Sequence, residues 1–315
     1  MLPELKDIRD AHERIRGFIH RTPVMSSQQI NELLGAEIYF KCENFQKAGA
    51  FKFRGATNAL LCLSKEEASN GVGTHSSGNH AGALAKAAGM LGISAHIVMP
   101  ENSREVKKKA VAGYGADIHF CKPTLEARET TMEWLAKKTG CTFIHPYDKF
   151  EIIAGQGTAA VELLEDYPDL DIIMAPVGGG GLLSGIAIGS KGMKPEILVW
   201  AGEPTGANDA WKSFKTGELV PSVEPQTMAD GLLTSLSGLT FRAIQQHVDE
   251  ILLCDENNIV EAMRLIWERM KIIVEPSSAV PLGALMQNQQ NWKGKKIGII
   301  LSGGNVDLGD LPFSV

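Results

Sequence analysis

Apolar and polar positions along this chain follow two rhythms, short β-branched runs and longer stretches with a helical repeat, and the two alternate over most of its length. The runs AEIYFKCE, AHIVMP, ADIHFC, CTFIHP, DIIMAPV, EILVWAGE and KIGIILSGG read as strands. NHAGALAKAAGML reads as a helix because Ala81, Leu84, Ala85 and Ala88 share one face, and NNIVEAMRLIWERM does so through Ile259, Met263, Ile266 and Met270. This alternation predicts an α/β protein with a mainly parallel sheet covered by helices. No internal repeat, low-complexity tract or obvious linker interrupts it.

Two segments bear on location. MLPELKDIRDAHERIRG alternates charges at helical spacing and lacks the apolar core of a signal peptide, so nothing in it directs export. Ile172 to Ser190 contains no charged residue and has about the length of a bilayer span. Pro176 and the four glycines from Gly178 to Gly181 divide it into a strand, a flexible turn and a short helix, LLSGIAIGS, which excludes a membrane segment.

Composition refines the picture. The 315 residues exceed the usual size of one core, so two lobes or one large α/β unit enclosing a cleft are expected. A net charge of −6 without a basic block argues against nucleic acid as the main partner. The cysteines Cys42, Cys62, Cys121, Cys141 and Cys254 show no C-x-x-C spacing, which predicts neither a disulfide framework nor a zinc site and places the chain in a reducing, cytoplasmic setting.

In open α/β sheets, ligands gather at the carboxyl ends of strands, where helices begin with unpaired N–H groups. Four such turns carry unusual residues. PVGGGGLLSG can fold tightly enough for several N–H groups and a helix dipole to face one anion, most naturally a phosphate. It matches neither the P-loop nor G-x-G-x-x-G, and a turn whose glycines serve only close packing reads the same way. THSSGNHAGALA offers Ser76, Ser77 and Asn79 as donors for a carboxylate, or simply as helix caps. LSGGNVD ends a strand at Ser302, whose hydroxyl can bond a heteroaromatic nitrogen without adding charge, while Gly303 and Gly304 leave room for something flat; an ST-turn is the alternative.

The fourth turn is FQKAGAFKFRG. A desolvated lysine becomes neutral and nucleophilic, and if the stretch is extended Phe51 and Phe53 point away from Lys52. Ala48, Gly49 and Ala50 then leave a gap for a cofactor; the alternative is an exposed lysine paired with Glu43. A nucleophilic amine, a phosphate cradle, a partner for a flat ring and a carboxylate-binding turn are together the parts for pyridoxal phosphate acting on an amino acid.

In this order, GAFKFRGA, SSGNHA, PVGGGGLLSG, EPSSA and LSGGNVD resemble the serine racemase and serine/threonine dehydratase family of fold-type II pyridoxal-phosphate enzymes. The resemblance implies two lobes, each with a mainly parallel twisted sheet: residues 1–69 and 146–315 as the cofactor-binding lobe and residues 70–145 as a small mobile lobe. It implies that Lys52 anchors the cofactor covalently, that Gly178, Gly179, Gly180, Gly181 and Leu182 hold its phosphate, and that Phe51 stacks on its ring. Asn79 would contact the ring hydroxyl, Ser302 the ring nitrogen, and Glu275 would lie nearby. Ser76, Ser77, Asn79, His80 and Arg128 would surround the substrate, with Ser77 as the second acid/base that racemisation requires. Glu203, the Ala207 carbonyl and Asp209 would bind Mg²⁺, Mn²⁺ or Ca²⁺.

The activity implied is dehydration and deamination of L-serine or L-threonine to a 2-oxo acid and ammonia, with racemisation of serine as a companion or main activity and 3-hydroxyaspartate as an alternative substrate. A cytoplasmic homodimer is the expected assembly, with no nucleic-acid or membrane partner. Gly82 stands where relatives often carry glutamine, which argues against nucleotide activation, and the short sequence after SGGNVD argues against feedback control by isoleucine. A β-replacement enzyme fits less well because SSGNHA and GGGGL differ from that group's TSGNTG and GTGGT. Lys52 weighs against a nicotinamide oxidoreductase, for which Glu203 would be the ribose-binding acid, and against a catalytically silent binding protein.

Overall fold

The computed structural model describes residues 1–313 except Ser77, Arg104 and residues 289–291. In chain order the strands are β1 (Val24–Met25), β2 (Glu37–Cys42), β3 (Val72–His75), β4 (Ala95–Pro100), β5 (Asp117–Cys121), β6 (Thr142–Phe143), β7 (Ile172–Pro176), β8 (Leu198–Pro204), β9 (Glu250–Cys254) and β10 (Lys296–Leu301). They form two sheets, ordered β1-β2-β10-β7-β8-β9 and β5-β4-β3-β6. Only β1, at the edge of the larger sheet, pairs antiparallel; the other pairs are parallel.

Parallel strands covered on both faces read as continuous apolar runs, and β7, buried at all five positions, is the clearest case. One face of the larger sheet presents Ile38, Phe40 and Met174 to Val280, Leu282 and Leu285 of the helix Pro276–Gln287. On the other, Ile173 and Val199 meet Leu163 of the helix Phe150–Asp166 and Leu183 and Ile186 of the helix Gly181–Met193. A third apolar layer joins Val72 and Ile97 of the smaller sheet to Ala81, Leu84 and Ala88 of the helix Asn79–Leu91, and reaches Phe53 and Ala56 of the helix Lys52–Leu61. Each fully buried Leu, Ile or Phe contributes about 1.5–3 kcal/mol. The lysine helix therefore sits in a core shared with the smaller sheet.

The stretch around Lys52 is not extended. Ala48 (φ 58°) and Gly49 (φ 72°) turn the chain, Phe51 N–H donates to Ser302 O at 2.9 Å, and the helix begins at Lys52. Phe53 is buried, while Phe51 stays beside the lysine, its ring centroid 5.1 Å from Nζ. Among the described residues, no helix is long and apolar enough to cross a membrane.

Candidate active site at the carboxyl ends of the strands

Lys52 is half-buried, and its Nζ donates to Pro146 O at 2.8 Å, in the loop between β6 and the helix Phe150–Asp166. That partner is a neutral carbonyl. Burial pushes the amine down to about 8, although Glu275 pulls the other way. At pH 7 about a tenth of the amine is therefore unprotonated and nucleophilic, far more than for an exposed lysine. Glu43, the alternative partner considered above, is fully buried and bonds Arg54 and Thr22 instead.

After β7 the chain enters the glycine loop, with Gly180 in the left-handed region at φ 83°. A Cβ on Gly178 would lie 2.8 Å from Leu232 Cα, on Gly179 2.5 Å from Tyr147 Cδ1, on Gly180 2.7 Å from Leu236 Cδ2, and on Gly181 2.8 Å from Tyr147 Cβ. Close packing thus demands glycine at all four positions. The same turn starts the helix Gly181–Met193, whose first N–H groups, including that of buried Leu182, have no intrahelical acceptor and face an anion favourably.

Opposite Lys52, one hydrogen-bond network joins three turns. Asn79, the first residue of its helix, donates to Glu275 Oε1 at 2.8 Å and accepts from Asn305 Nδ2 at 2.9 Å; Asn305 N–H donates to Glu275 Oε2 at 3.2 Å. Burial pushes Glu275 up to about 7, with Asp230 adding to the effect and the Asn79 bond opposing it. Ser302 is buried at the end of β10, 3.1 Å from Ser278 Oγ, which also accepts from Gly303 N–H at 2.7 Å. The space expected beside Gly303 and Gly304 is filled: a Cβ there would strike Glu275 and the Ile273 carbonyl, just as one on Gly49 would strike Asn305. At these glycines the direction a side chain would take is occupied by protein.

The remaining residues expected around the substrate are spread along the smaller sheet. Ser76 follows β3 and its Oγ accepts from Gly78 N–H at 3.3 Å; Ser77 lies outside the described residues. Buried His80 bonds Ile144 O through Nε2 at 3.1 Å, so Nε2 carries the hydrogen and Nδ1, without a partner among the described residues, is an acceptor. Burial pushes its pKa down to about 3, which keeps the ring neutral. Arg128 is half-buried on the helix Leu125–Thr139, its Nε without a partner and its charge close enough to lower the His75 pKa.

Glu203 in β8 and Asp209 beyond it are 1% and 5% exposed. Glu203 accepts from the N–H groups of Ala210 and Trp211 at 2.8 and 2.7 Å, Ala207 is buried in the turn between the acids, and Asp209 Oδ2 has no partner. Burial pushes Glu203 up to about 8 and Asp209 to about 6. Among the described residues, no group of three His, Cys, Asp or Glu side chains gathers to hold a metal.

The sequence does not single out Pro146, Tyr147, Ser278 or Asn305. Ser278 and Asn305 lie inside the quoted EPSSA and LSGGNVD, where a polar residue beside small ones was the available signal. No such signal marks Pro146 and Tyr147, which reach the site from the far side of the smaller sheet's last strand.

A depressed lysine, a glycine turn at a helix start and an uncharged hydroxyl at a strand end define a site for a phosphorylated aldehyde cofactor, and their chemistry fits pyridoxal phosphate. Residues 15–303 match the family model described as pyridoxal-phosphate dependent enzyme. The chain belongs to that family. It is 51% identical over 311 residues to the serine racemase of Dictyostelium discoideum, covering 98% of this chain and 96% of the relative. It is 47% identical over 313 residues to the β-hydroxyaspartate dehydratase of Paracoccus denitrificans, covering 99% of each. The crystal structure of the Dictyostelium serine racemase superposes with a TM-score of 0.93 over 97% of this chain and 99% of that one.

Proposed function

We propose that this protein acts on L-serine or L-threonine, eliminating the β-hydroxyl to give a 2-oxo acid and ammonia, and that it also interconverts the enantiomers of serine. The observation that carries this reading is Lys52: an amine held by a neutral carbonyl, with a pKa near 8, suited to bonding an aldehyde and to moving a proton at a substrate Cα.

When bound, pyridoxal phosphate supplies an electron sink for the bond broken at Cα. The protein does the rest. Gly178, Gly179, Gly180, Gly181 and Leu182 would hold its phosphate with backbone N–H groups, and Lys52 would be its covalent anchor. Phe51 would cover one ring face, Asn79, held between Glu275 and Asn305, would meet the ring hydroxyl, and Ser302 the ring nitrogen. Because Ser302 carries no charge, it would not hold that nitrogen protonated, which would favour prompt loss of the β-hydroxyl. The freed Lys52 amine takes the Cα proton. Ser76, Ser77 and Asn79 bind the carboxylate side; neutral His80, its Nε2–H taken by Ile144 O, stands beside them with Nδ1 as an acceptor for a hydroxyl, and Ser77 delivers a proton to the opposite face in racemisation.

A second reading, 3-hydroxyaspartate as substrate, draws on the unpartnered Arg128 Nε, a cation on the substrate side able to meet a second carboxylate, and on the similarity to the Paracoccus enzyme. Incubating the pure protein with L-serine, L-threonine and 3-hydroxyaspartate, and following 2-oxo acid and enantiomer ratio together, separates the readings. Ser77→Ala is expected to abolish interconversion and spare dehydration of the L-isomer; unchanged interconversion removes Ser77 from the mechanism.

The reading extends to layout and partners. Residues 70–145, carrying the smaller sheet, form the lobe that moves over substrate, and residues 1–69 and 146–315 the lobe that keeps the cofactor. Glu203, the Ala207 carbonyl and Asp209 hold a divalent cation, Mg²⁺, Mn²⁺ or Ca²⁺, supported by two buried hard-oxygen acids, one with an unpartnered oxygen. A homodimer in a reducing cytoplasm completes it, supported by five free cysteines.

A further inference from the structure

Directly beneath the catalytic turn lies a cluster of four buried charges that the mechanism leaves unused. Arg54 spends all five guanidinium N–H groups: Nε on Glu43 Oε2 at 2.7 Å, one terminal nitrogen on Glu43 Oε1 and Glu162 Oε2 at 2.8 and 2.7 Å, the other on Glu162 Oε1 and Thr158 Oγ at 2.8 and 3.1 Å. Lys41 adds a bond to Glu162 Oε2 at 2.6 Å and one to Thr22 O at 2.7 Å. Two cations and two anions make the cluster neutral, and each of the four is 0% or 1% exposed.

Buried ion pairs are a weak source of stability compared with apolar residues of the same volume, whereas their directed bonds specify geometry. The cluster ties β2 and the helix Phe150–Asp166 to one point on the helix Lys52–Leu61, two residues past its first. Two residues span about 200° of helical rotation, so Arg54 faces away from Lys52 and fixes the turn from behind. From the front, that turn has no side-chain cap and is held at Phe51 N–H by Ser302 O. Without Arg54, the directed bonds left on this helix include Gly55 N–H to Gln156 Oε1 at 3.2 Å and, a turn further on, Asn58 Nδ2 to Glu151 O at 2.7 Å, against the five that Arg54 makes, while the packing around Phe53 is not directional.

We propose that Arg54, gripped by both carboxylates, is a positioning residue that sets the rotation and height of the Lys52 amine at the cofactor. The proposal rests on Lys52 being the covalent anchor. Arg54→Lys keeps the charge and loses the planar fork. The holoenzyme variant is expected to load cofactor fully, lose about 100-fold in kcat with KM within about threefold, and shift the pH midpoint of the lysine-linked visible band by about one unit. Amide hydrogen exchange at the first turn of the lysine helix should also accelerate. A kcat loss that only tracks the folded, loaded fraction, with midpoint and exchange unmoved, assigns the cluster to folding alone and overturns the proposal.

If Arg54→Lys does not fold, Thr158→Val removes one acceptor and keeps shape. A kcat loss of about fivefold with the same midpoint shift is expected, and no change overturns the proposal. A parent holoenzyme without a lysine-linked band overturns the cofactor reading itself, and the proposal with it.

Discussion

If Glu203 and Asp209 hold a cation as proposed, they give the protein a stability signature that the cation changes. In the folded chain Glu203 keeps its proton to about pH 8, against an ordinary value of 4.5, because burial opposes its charge more strongly than two N–H bonds favour it. At about 1.36 kcal/mol per pH unit, ionising it in place costs roughly 5 kcal/mol without a cation. The folded state therefore binds more protons than the unfolded one between about pH 4.5 and 8, so this stability is complete below pH 4.5 and lost as pH rises through 8. Asp209 adds the same sign up to about pH 6. A bound cation reverses the balance, since it needs both groups ionised, and at 100 times its Kd it restores about 2.7 kcal/mol. The assay is thermal unfolding across this pH range, with a chelator and with Mg²⁺, Mn²⁺ or Ca²⁺. The chelated protein should lose Tm steadily towards pH 8 and recover it with cation, while Glu203→Gln should flatten the profile and abolish the recovery. A flat chelated profile with no cation effect at any pH refutes the reasoning.

Asn79→Ala removes the bonds to Glu275 and Asn305, leaves a buried carboxyl short of a donor and raises its pKa above about 7; cofactor affinity should fall about tenfold in a fluorescence titration. Gly179→Ala places a methyl 2.5 Å from Tyr147 Cδ1, so the ring must move; a loss of about 1–3 kcal/mol on denaturant unfolding and weaker cofactor retention in dialysis are expected.

Much of the fold is legible because parallel strands buried on both faces leave unmistakable apolar runs: IIMAP and KIGIIL lie where the pattern puts them. β1 escapes because two residues form no pattern, and β9 because EILLC is a brief run directly after the polar end of a helix. The turns that carry Asn79, Ser302 and the glycines are legible because they fall where strands give way to helices or loops. The conformation at Lys52 is not: two positive-φ residues, one of them alanine, start a helix where alternating Phe and Lys suggest a strand. Partners distant in sequence are equally hidden. Arg54 meets Glu162 across 108 positions and Lys52 meets Pro146 across 94, pairings that periodicity cannot carry.

The account turns on the Lys52 amine, and one measurement reaches it directly: borohydride reduction of the protein loaded with pyridoxal phosphate, followed by peptide mass mapping. The visible band should vanish and one reduced pyridoxyl group should appear on Lys52, with Lys52→Ala acquiring neither band nor label. A label on any other lysine, or a band that persists in Lys52→Ala, contradicts the account.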